Sequence, residues 1–380
     1  GNMEWSFAAS TFSDHPFMDA ISAQAIRTMP LCTDRPVLNT LALVEAFAGA
    51  GRLGRAMLQV AQSLLQQLAA ELDIGLQPDA HESSHVGSDT GRKPAIEPHV
   101  LVEQQHVCVL WKPAGWTVSV QKDDDAAATS AAPSAFFPSS NRATEAAQAD
   151  RGRRLQDWVA QTFGRLHPIA MDAKVAHGLV HRLDQGTSGA ILWARSYQGY
   201  LAARLQFASH AVKKQYLCIC VGWVPPAERL LDVPLKDSSS PGVVTMASAT
   251  GRTAITELLA ASHLVLPTGP VSASLVAVRL RTGRQHQVRV HMAQEGHALL
   301  GDVAYGGETP AWCSRVQLHA HLLALDVGSG PIVIAAPLPL DMRRMLGHFL
   351  TVAPAGRAKL RGAVQGPYCE NRPSIHSILP

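Results

Sequence analysis

Asp184 is the residue around which chemistry gathers most readily in this chain. It lies in His181-Arg182-Leu183-Asp184-Gln185-Gly186-Thr187-Ser188-Gly189, where a carboxylate, two basic neighbours and a turn of small residues share nine positions. A carboxylate so placed serves as a nucleophile, as a general base, or as half of a loop-pinning ion pair, and the stretch alone leaves these alternatives open. In an extended segment Arg182 shares a face with Asp184. Thr187 and Ser188 can donate hydrogen bonds that hold a loop. An apolar run, Ala190 to Ala194, follows, so the pattern predicts a reactive loop anchored on a buried strand.

Two more clusters carry chemistry. Lys213-Lys214-Gln215-Tyr216 opens a strand, and alternation puts Lys214 and Tyr216 on one face. A tyrosine there packs on a base and brings its hydroxyl towards a carboxylate; the alternative is a strand edge guarded by basic side chains. Arg281 to His291 is dense in hydrogen-bond donors, and Arg284, His286, Arg289 and His291 are expected just after a turn and at the start of a strand, an arrangement suited to phosphate and base contacts. His286 and His291 have no nearby carboxylate or cysteine to complete a ligand set, so no metal site is expected. Gly301-Asp302 and Tyr305-Gly306 read as a turn packed beside this cluster, with a scaffold role.

The elements that must position these residues belong to a sizeable fold. The chain has 380 residues, 47% of them hydrophobic and only 17% charged, which predicts a large core. A net charge of +3 permits a nucleic-acid partner without demanding one. The six cysteines are scattered, with Cys218 and Cys220 on one side of a strand and no second close pair, so reduced thiols in an intracellular protein are expected. No apolar run approaches the roughly 18 residues that span a bilayer, and no membrane partner is expected. The opening Gly1-Asn2-Met3-Glu4-Trp5 is neither a signal peptide nor a clean transit peptide and suggests a trimmed or internal piece, leaving mitochondrial, plastid and nuclear compartments of a eukaryote open.

Residues 1–78 read as a helical extension, with helices over Leu38 to Phe47 and Leu53 to Leu72 broken at Gly49-Ala50-Gly51. The pair resembles one degenerate pentatricopeptide-like repeat, a unit that reads single-stranded RNA; the alternative is a plain helical pair packed on the main domain. Residues 79–97 are a polar linker, 122–150 a low-complexity insertion, and 351–380 a flexible tail. Between them, over 98–350, strand patterns (Val107 to Leu110, Lys214 to Val221, Ala254 to Leu259, Ser274 to Leu280, Val288 to His291, Leu318 to Leu325, Ile332 to Ala335) outnumber helical ones (Leu155 to Phe163, Ser196 to Phe207). This predicts an α+β domain, a mixed, mostly antiparallel sheet with flanking helices.

Taken in order, the segments Lys112-Pro113-Ala114-Gly115, His181-Arg182-Leu183-Asp184 with Thr187-Ser188-Gly189, Lys214 with Tyr216, Thr282-Gly283-Arg284 with His286-Gln287, Arg289 and His291, Gly301-Asp302 with Tyr305-Gly306, and Leu318-His319-Ala320 resemble the RluA/RluD-type RNA pseudouridine synthase family. The resemblance covers about 98–345 apart from the insertion. It implies the pseudouridine synthase fold around a central RNA-binding cleft, and isomerisation of specific uridines in rRNA or tRNA without a cofactor, by a chain expected to act as a monomer. By resemblance Asp184 is the catalytic carboxylate, Tyr216 stacks on the base and acts as a general base, and Arg284 pairs with the aspartate. Arg182 helps the uridine leave its helix, and His181, Lys214, His286, Gln287, Arg289, His291 and Lys112 join it in binding RNA. Gln185, Trp111 and Trp116 depart from the family pattern. The alternative is an RNA-binding protein on this scaffold that has lost its activity.

Overall fold

A computed structural model describes residues 23–25, 29, 35–74, 97–118, 153–236, 244–267, 272–352, 358 and 360–361. The expected linker (but for residue 97), the insertion at 122–150 and nearly all of the tail lie outside the described residues. Two helices, α1 (Pro36–Gly49) and α2 (Arg55–Ile74), precede β1 (His99–Glu103), β2 (Val107–Lys112) and α3 (Leu155–Phe163). Next come β3 (Ser188–Ala194), α4 (Tyr197–Ala208) and β4 (Lys213–Val221). The short strands β5 (Arg229–Asp232), β6 (Leu235–Lys236) and β7 (Met246–Ala247) lead to the long β8 (Ile255–Val265) and β9 (Ser272–Leu280). The chain closes with α5 (Gln287–Gln294), β10 (Leu318–Asp326), β11 (Pro331–Ala335), α6 (Leu340–Gly347) and β12 (Leu350–Thr351).

The main sheet runs β1-β2-β3-β10-β4-β9-β8-β12, with β11 on β10 and β5 on β8. Among the described strands of this sheet only the β3–β10 pair is parallel, so the expected mixed, mostly antiparallel sheet is what forms. The strands around its centre are buried at nearly every position because both faces are covered. Val107, Val109 and Trp111 of β2 and Ala190, Leu192 and Ala194 of β3 pack on the side of α4. Their alternates Cys108, Leu110, Ile191 and Trp193 pack on the opposite side with Leu155 and Val159 of α3. Further along, Leu217, Ile219, Leu275 and Ala277 meet Met342, Met345 and Leu346 of α6.

The α1–α2 pair belongs to this core. Leu41, Val44, Phe47, Met57, Ala61, Leu65 and Ala69 are buried in the same cluster as Tyr197, Tyr200 and Leu201 of α4. Gly51, at φ 68°, makes the break between the two helices that the sequence predicts. Asp73, near the end of α2, accepts the Tyr197 and Gln198 amides at 3.0 Å each, satisfying orphan donors at the start of α4. The pair is thus packed against α4 of the main domain.

One element differs from its expected type. Val288 to His291 reads as a strand because Val288 and Val290 alternate with Arg289 and His291. The segment is helical, and its buried residues Gln287, Val288, Val290, His291 and Met292 follow the three- and four-residue spacing of a helix. Four residues are too few to tell one period from the other.

Candidate active site

Asp184 stands in the loop before β3, and that loop is held by its own backbone. The Thr187 amide closes a turn onto the Asp184 carbonyl at 3.0 Å. The Gln185 carbonyl accepts the Gly115 amide at 2.8 Å and the Lys112 ammonium at 3.4 Å. Lys112 is completely buried and also donates to the Pro113 carbonyl at 2.9 Å. Burial pushes its ammonium down to about 7, against the pull of Asp184. Arg315 donates to the Gly186 carbonyl at 3.0 Å while its Nε donates to Asp341 at 2.6 Å, tying the loop to α6.

At the loop's end the hydroxyl of Ser188 lies 3.0 Å from Nδ1 of the buried His319. His319 Nε2 lies 3.3 Å from the Ala336 carbonyl, which can only accept, so Nδ1 is the acceptor and the Ser188 hydroxyl donates. Gly189 has φ 122°, and a Cβ there would run into the Ala320 backbone, so only glycine lets β10 come this close.

This frame presents the Asp184 carboxylate, 21% exposed, to three side chains. Arg289 of α5 places Nη1 3.8 Å from Asp184 Oδ2, and His286, just before α5, places Nε2 at 3.9 Å. The third is Tyr216 on β4. Gly189 pairs with Ala320 and Ala320 with Tyr216, so the tyrosine lies in the same cross-strand row as the loop's end, with only glycine and alanine between. Burial first, and the charge of Asp184 second, push its phenol well above the ordinary value. Tyr216 therefore presents a neutral ring and hydroxyl to the site.

Arg289 is itself fixed. Its Nε and Nη2 donate to the two carboxylate oxygens of Asp302, at 2.7 Å each, and Asp302 is completely buried. Its guanidinium carbon lies 4.8 Å from the centre of the Tyr305 ring. The Tyr305 hydroxyl donates to the Thr245 carbonyl at 3.0 Å, so His286 Nδ1, 2.9 Å away, donates to Tyr305 in turn. Burial lowers the pKa of His286, with Asp184 opposing. The neutral ring with its proton on Nδ1 leaves the Nε2 lone pair towards Asp184. Asp184 thus has one permanent cation beside it and one imidazole able to take a proton.

Several residues expected at the RNA turn out to be internal. The arginine against Asp184 is Arg289, not Arg284, which donates to Glu45 at 3.2 Å and to the Thr253 carbonyl at 3.0 Å. With the chain helical from Gln287, Arg289 and the preceding His286 both approach Asp184 while Gln287 and His291 face inward. Gln287 is buried and holds Thr282 Oγ1, the Arg284 amide, the Ile255 carbonyl and Thr256 Oγ1. His291 is buried between Thr256 Oγ1 and the Val233 carbonyl. Lys112 lies under the loop. His181 stacks on Phe207 at 4.8 Å and its Nε2 accepts the Leu192 amide at 2.9 Å, while burial pushes its pKa down to about 3. Of the expected contacts, Arg182 is exposed and Lys214 half-buried. Gln185 departs from the family pattern without consequence for the loop, because its main-chain carbonyl, not its exposed side chain, makes these contacts.

The family model described as RNA pseudouridylate synthase matches residues 106–294, from β2 through α5. A ribosomal large subunit pseudouridine synthase D from Zymomonas mobilis is 36% identical over 178 residues, which cover 44% of this chain and 54% of that protein. An uncharacterised RNA pseudouridine synthase from Bacillus subtilis is 34% identical over 174 residues, 45% of this chain and 55% of that protein. Another from Zymomonas mobilis is 39% identical over 167 residues, 42% of this chain and 73% of that protein. The chain thus spans about half the length of the first two of these relatives. A solved structure titled human RNA pseudouridylate synthase domain containing 1 superposes with a TM-score of 0.50 at 18% identity, covering 73% of this chain and 99% of that one, a likeness of fold.

Proposed function

The chain belongs to the RNA pseudouridine synthase family, and from that premise we propose that it isomerises uridines within an RNA chain to pseudouridine, with Asp184 as the catalytic carboxylate. One observation supports this reading above the others. A carboxylate held by a backbone-bonded loop faces a fixed guanidinium 3.8 Å away and an aromatic ring in the adjoining strand row. A mere loop-pinning pair needs neither the ring nor the second carboxylate, Asp302, that aims the arginine.

The chemistry follows from these parts. Isomerisation detaches the base at its nitrogen, turns it and rejoins it through carbon 5. Attack on the sugar's anomeric carbon and removal of a sugar proton to give a glycal both use the charged carboxylate of Asp184. Arg289 keeps a positive charge beside it and is in reach of charge that develops on the departing base. The Tyr216 ring is the surface on which a flipped-out base stacks, and the exposed Arg182, two residues from Asp184, fills the gap the base leaves in its helix. No step requires a metal ion or a redox group.

The relative named for the ribosomal large subunit makes its rRNA the first substrate to test, with tRNA as the second arm. Transcripts carrying 5-tritiated uridine should lose tritium to solvent when the carbon 5 hydrogen is replaced by the new bond. Release from either RNA supports the activity and assigns its class. RNA binding without release from either, or from total cellular RNA, favours the inactive RNA-binding alternative.

A further inference from the structure

Beside the Asp184 loop lies a basic patch whose counter-charge comes from α1, outside the segment that matches the family. Glu45 Oε1 is 3.2 Å from Nη1 of Arg284 and 3.4 Å from Nη2 of Arg252. Lys214 and His210 also feel its charge. Burial and the nearby Arg284 push Lys214 down to about 8 with Glu45 pulling the other way, and burial lowers His210 against the same pull. One carboxylate therefore faces three permanent or near-permanent cations and a histidine.

The patch adjoins the catalytic loop. Lys214 Nζ lies 5.5 Å from the centre of the Phe207 ring, the ring on which His181 stacks, three residues before Asp184. Gly283 lies beside it, at a distance where a Cβ would be in ordinary contact with Lys214 Nζ. Arg284 is oriented from behind by its bond to the Thr253 carbonyl.

The Glu45 contact contributes little to holding α1 in place. Glu45 is 39% exposed and Arg252 57%, so that pair is weak, and the pair with Arg284, itself 16% exposed, is the firmer of the two. The helix is anchored instead by the buried Leu41, Val44 and Phe47. What remains is the negative charge of a partly exposed side chain set among basic groups. A phosphodiester recognised by arginine and lysine has the same pattern of charge.

We propose that Lys214, Arg252 and Arg284 form a binding site for one phosphodiester of the RNA strand beside the target uridine, and that Glu45 occupies this site in the free protein and swings out when RNA binds. The proposal rests on the RNA reading given above. Glu45 then acts as a built-in competitor that weakens binding of RNA lacking enough other contacts to displace it.

The test is binding of an RNA fragment by full-length wild type, Glu45→Gln and Arg252→Gln over a salt series. Glu45→Gln removes the competitor and keeps the shape, so it should bind about 3-fold tighter at low salt. Its affinity should fall more steeply with salt, the log–log slope steepening by up to about 0.7. Arg252→Gln should shift both quantities the opposite way. The single-turnover rate at saturating RNA should be unchanged in Glu45→Gln. A second arm titrates inorganic phosphate without RNA. Saturable phosphate binding to Glu45→Gln with no change in the RNA slope would overturn the assignment to the strand. Equal affinity and slope in wild type and Glu45→Gln, or weaker binding by the variant, would overturn the proposal alone. No RNA binding by any form would overturn it together with the reading it rests on.

Discussion

Replacing Asp302 by asparagine isolates what aims Arg289. Wild-type Asp302 offers two oxygens to two guanidinium nitrogens at 2.7 Å each, and it is completely buried. Asparagine keeps one acceptor and turns an amide N–H towards the other guanidinium donor. The charge of Arg289, 11% exposed, is left with Asp184 at 3.8 Å as its remaining ion-pair partner. Breaking a buried ion pair by removing one charge costs about 3–5 kcal/mol. The retained hydrogen bond and the partial exposure of the arginine place Asp302→Asn at the lower end, about 3 kcal/mol. That corresponds to roughly a 150-fold change in the folding equilibrium. Urea unfolding should show a lower midpoint with an unchanged slope. Single-turnover pseudouridine formation at saturating RNA should fall about 10- to 100-fold while RNA affinity stays within about 3-fold, because the arginine loses its aim and not its charge. Coincident unfolding midpoints, or an unchanged single-turnover rate, would refute the reasoning.

Further predictions concern the frame. Asp73→Ala removes the acceptor for two amides at the start of α4 and should destabilise the protein by about 1–2 kcal/mol without changing the single-turnover rate; an unchanged midpoint would show that water replaces it. Burial pushes the completely buried His319 down to about 3 and the nearly buried His321 to about 4. The folded state therefore binds these protons less readily than the unfolded chain. Stability is full above about pH 6.5, falls steadily as pH drops below that, and has lost on the order of 8 kcal/mol by about pH 3, as both rings become protonated in the folded state too. A urea midpoint flat from pH 7 to pH 4 would contradict this.

The residues that carry the proposed chemistry are legible in sequence where they are local. Asp184 and its turn of small residues fall within nine positions, and the alternation that puts Tyr216 on the face of β4 is read off a single strand. The buried strands are legible too, as unbroken apolar runs. What sequence misassigns depends on a period or a partner. Arg284 and Arg289 lie five residues apart in one donor-rich segment, and only the helical turn of α5 shows which of them faces Asp184. Gln287 and His291 look like RNA contacts because polar residues in a basic stretch suggest a surface; the same helix turns them into the core, where each of their polar atoms finds a partner. Asp302, read as scaffold, acquires its role only through contact with Arg289. Glu45, nearly 240 positions from Arg284, has no local signal at all.

The most direct test of the central claim is tritium release from 5-tritiated uridine RNA by Asp184→Asn, with RNA affinity measured on the same sample. Asparagine keeps the shape of the side chain and its place in the loop, whose hydrogen bonds are made by main-chain groups. Release should fall below about one thousandth of the wild-type rate with affinity within about 3-fold. Release within about 10-fold of wild type would show that Asp184 pins a loop and that another group does the chemistry.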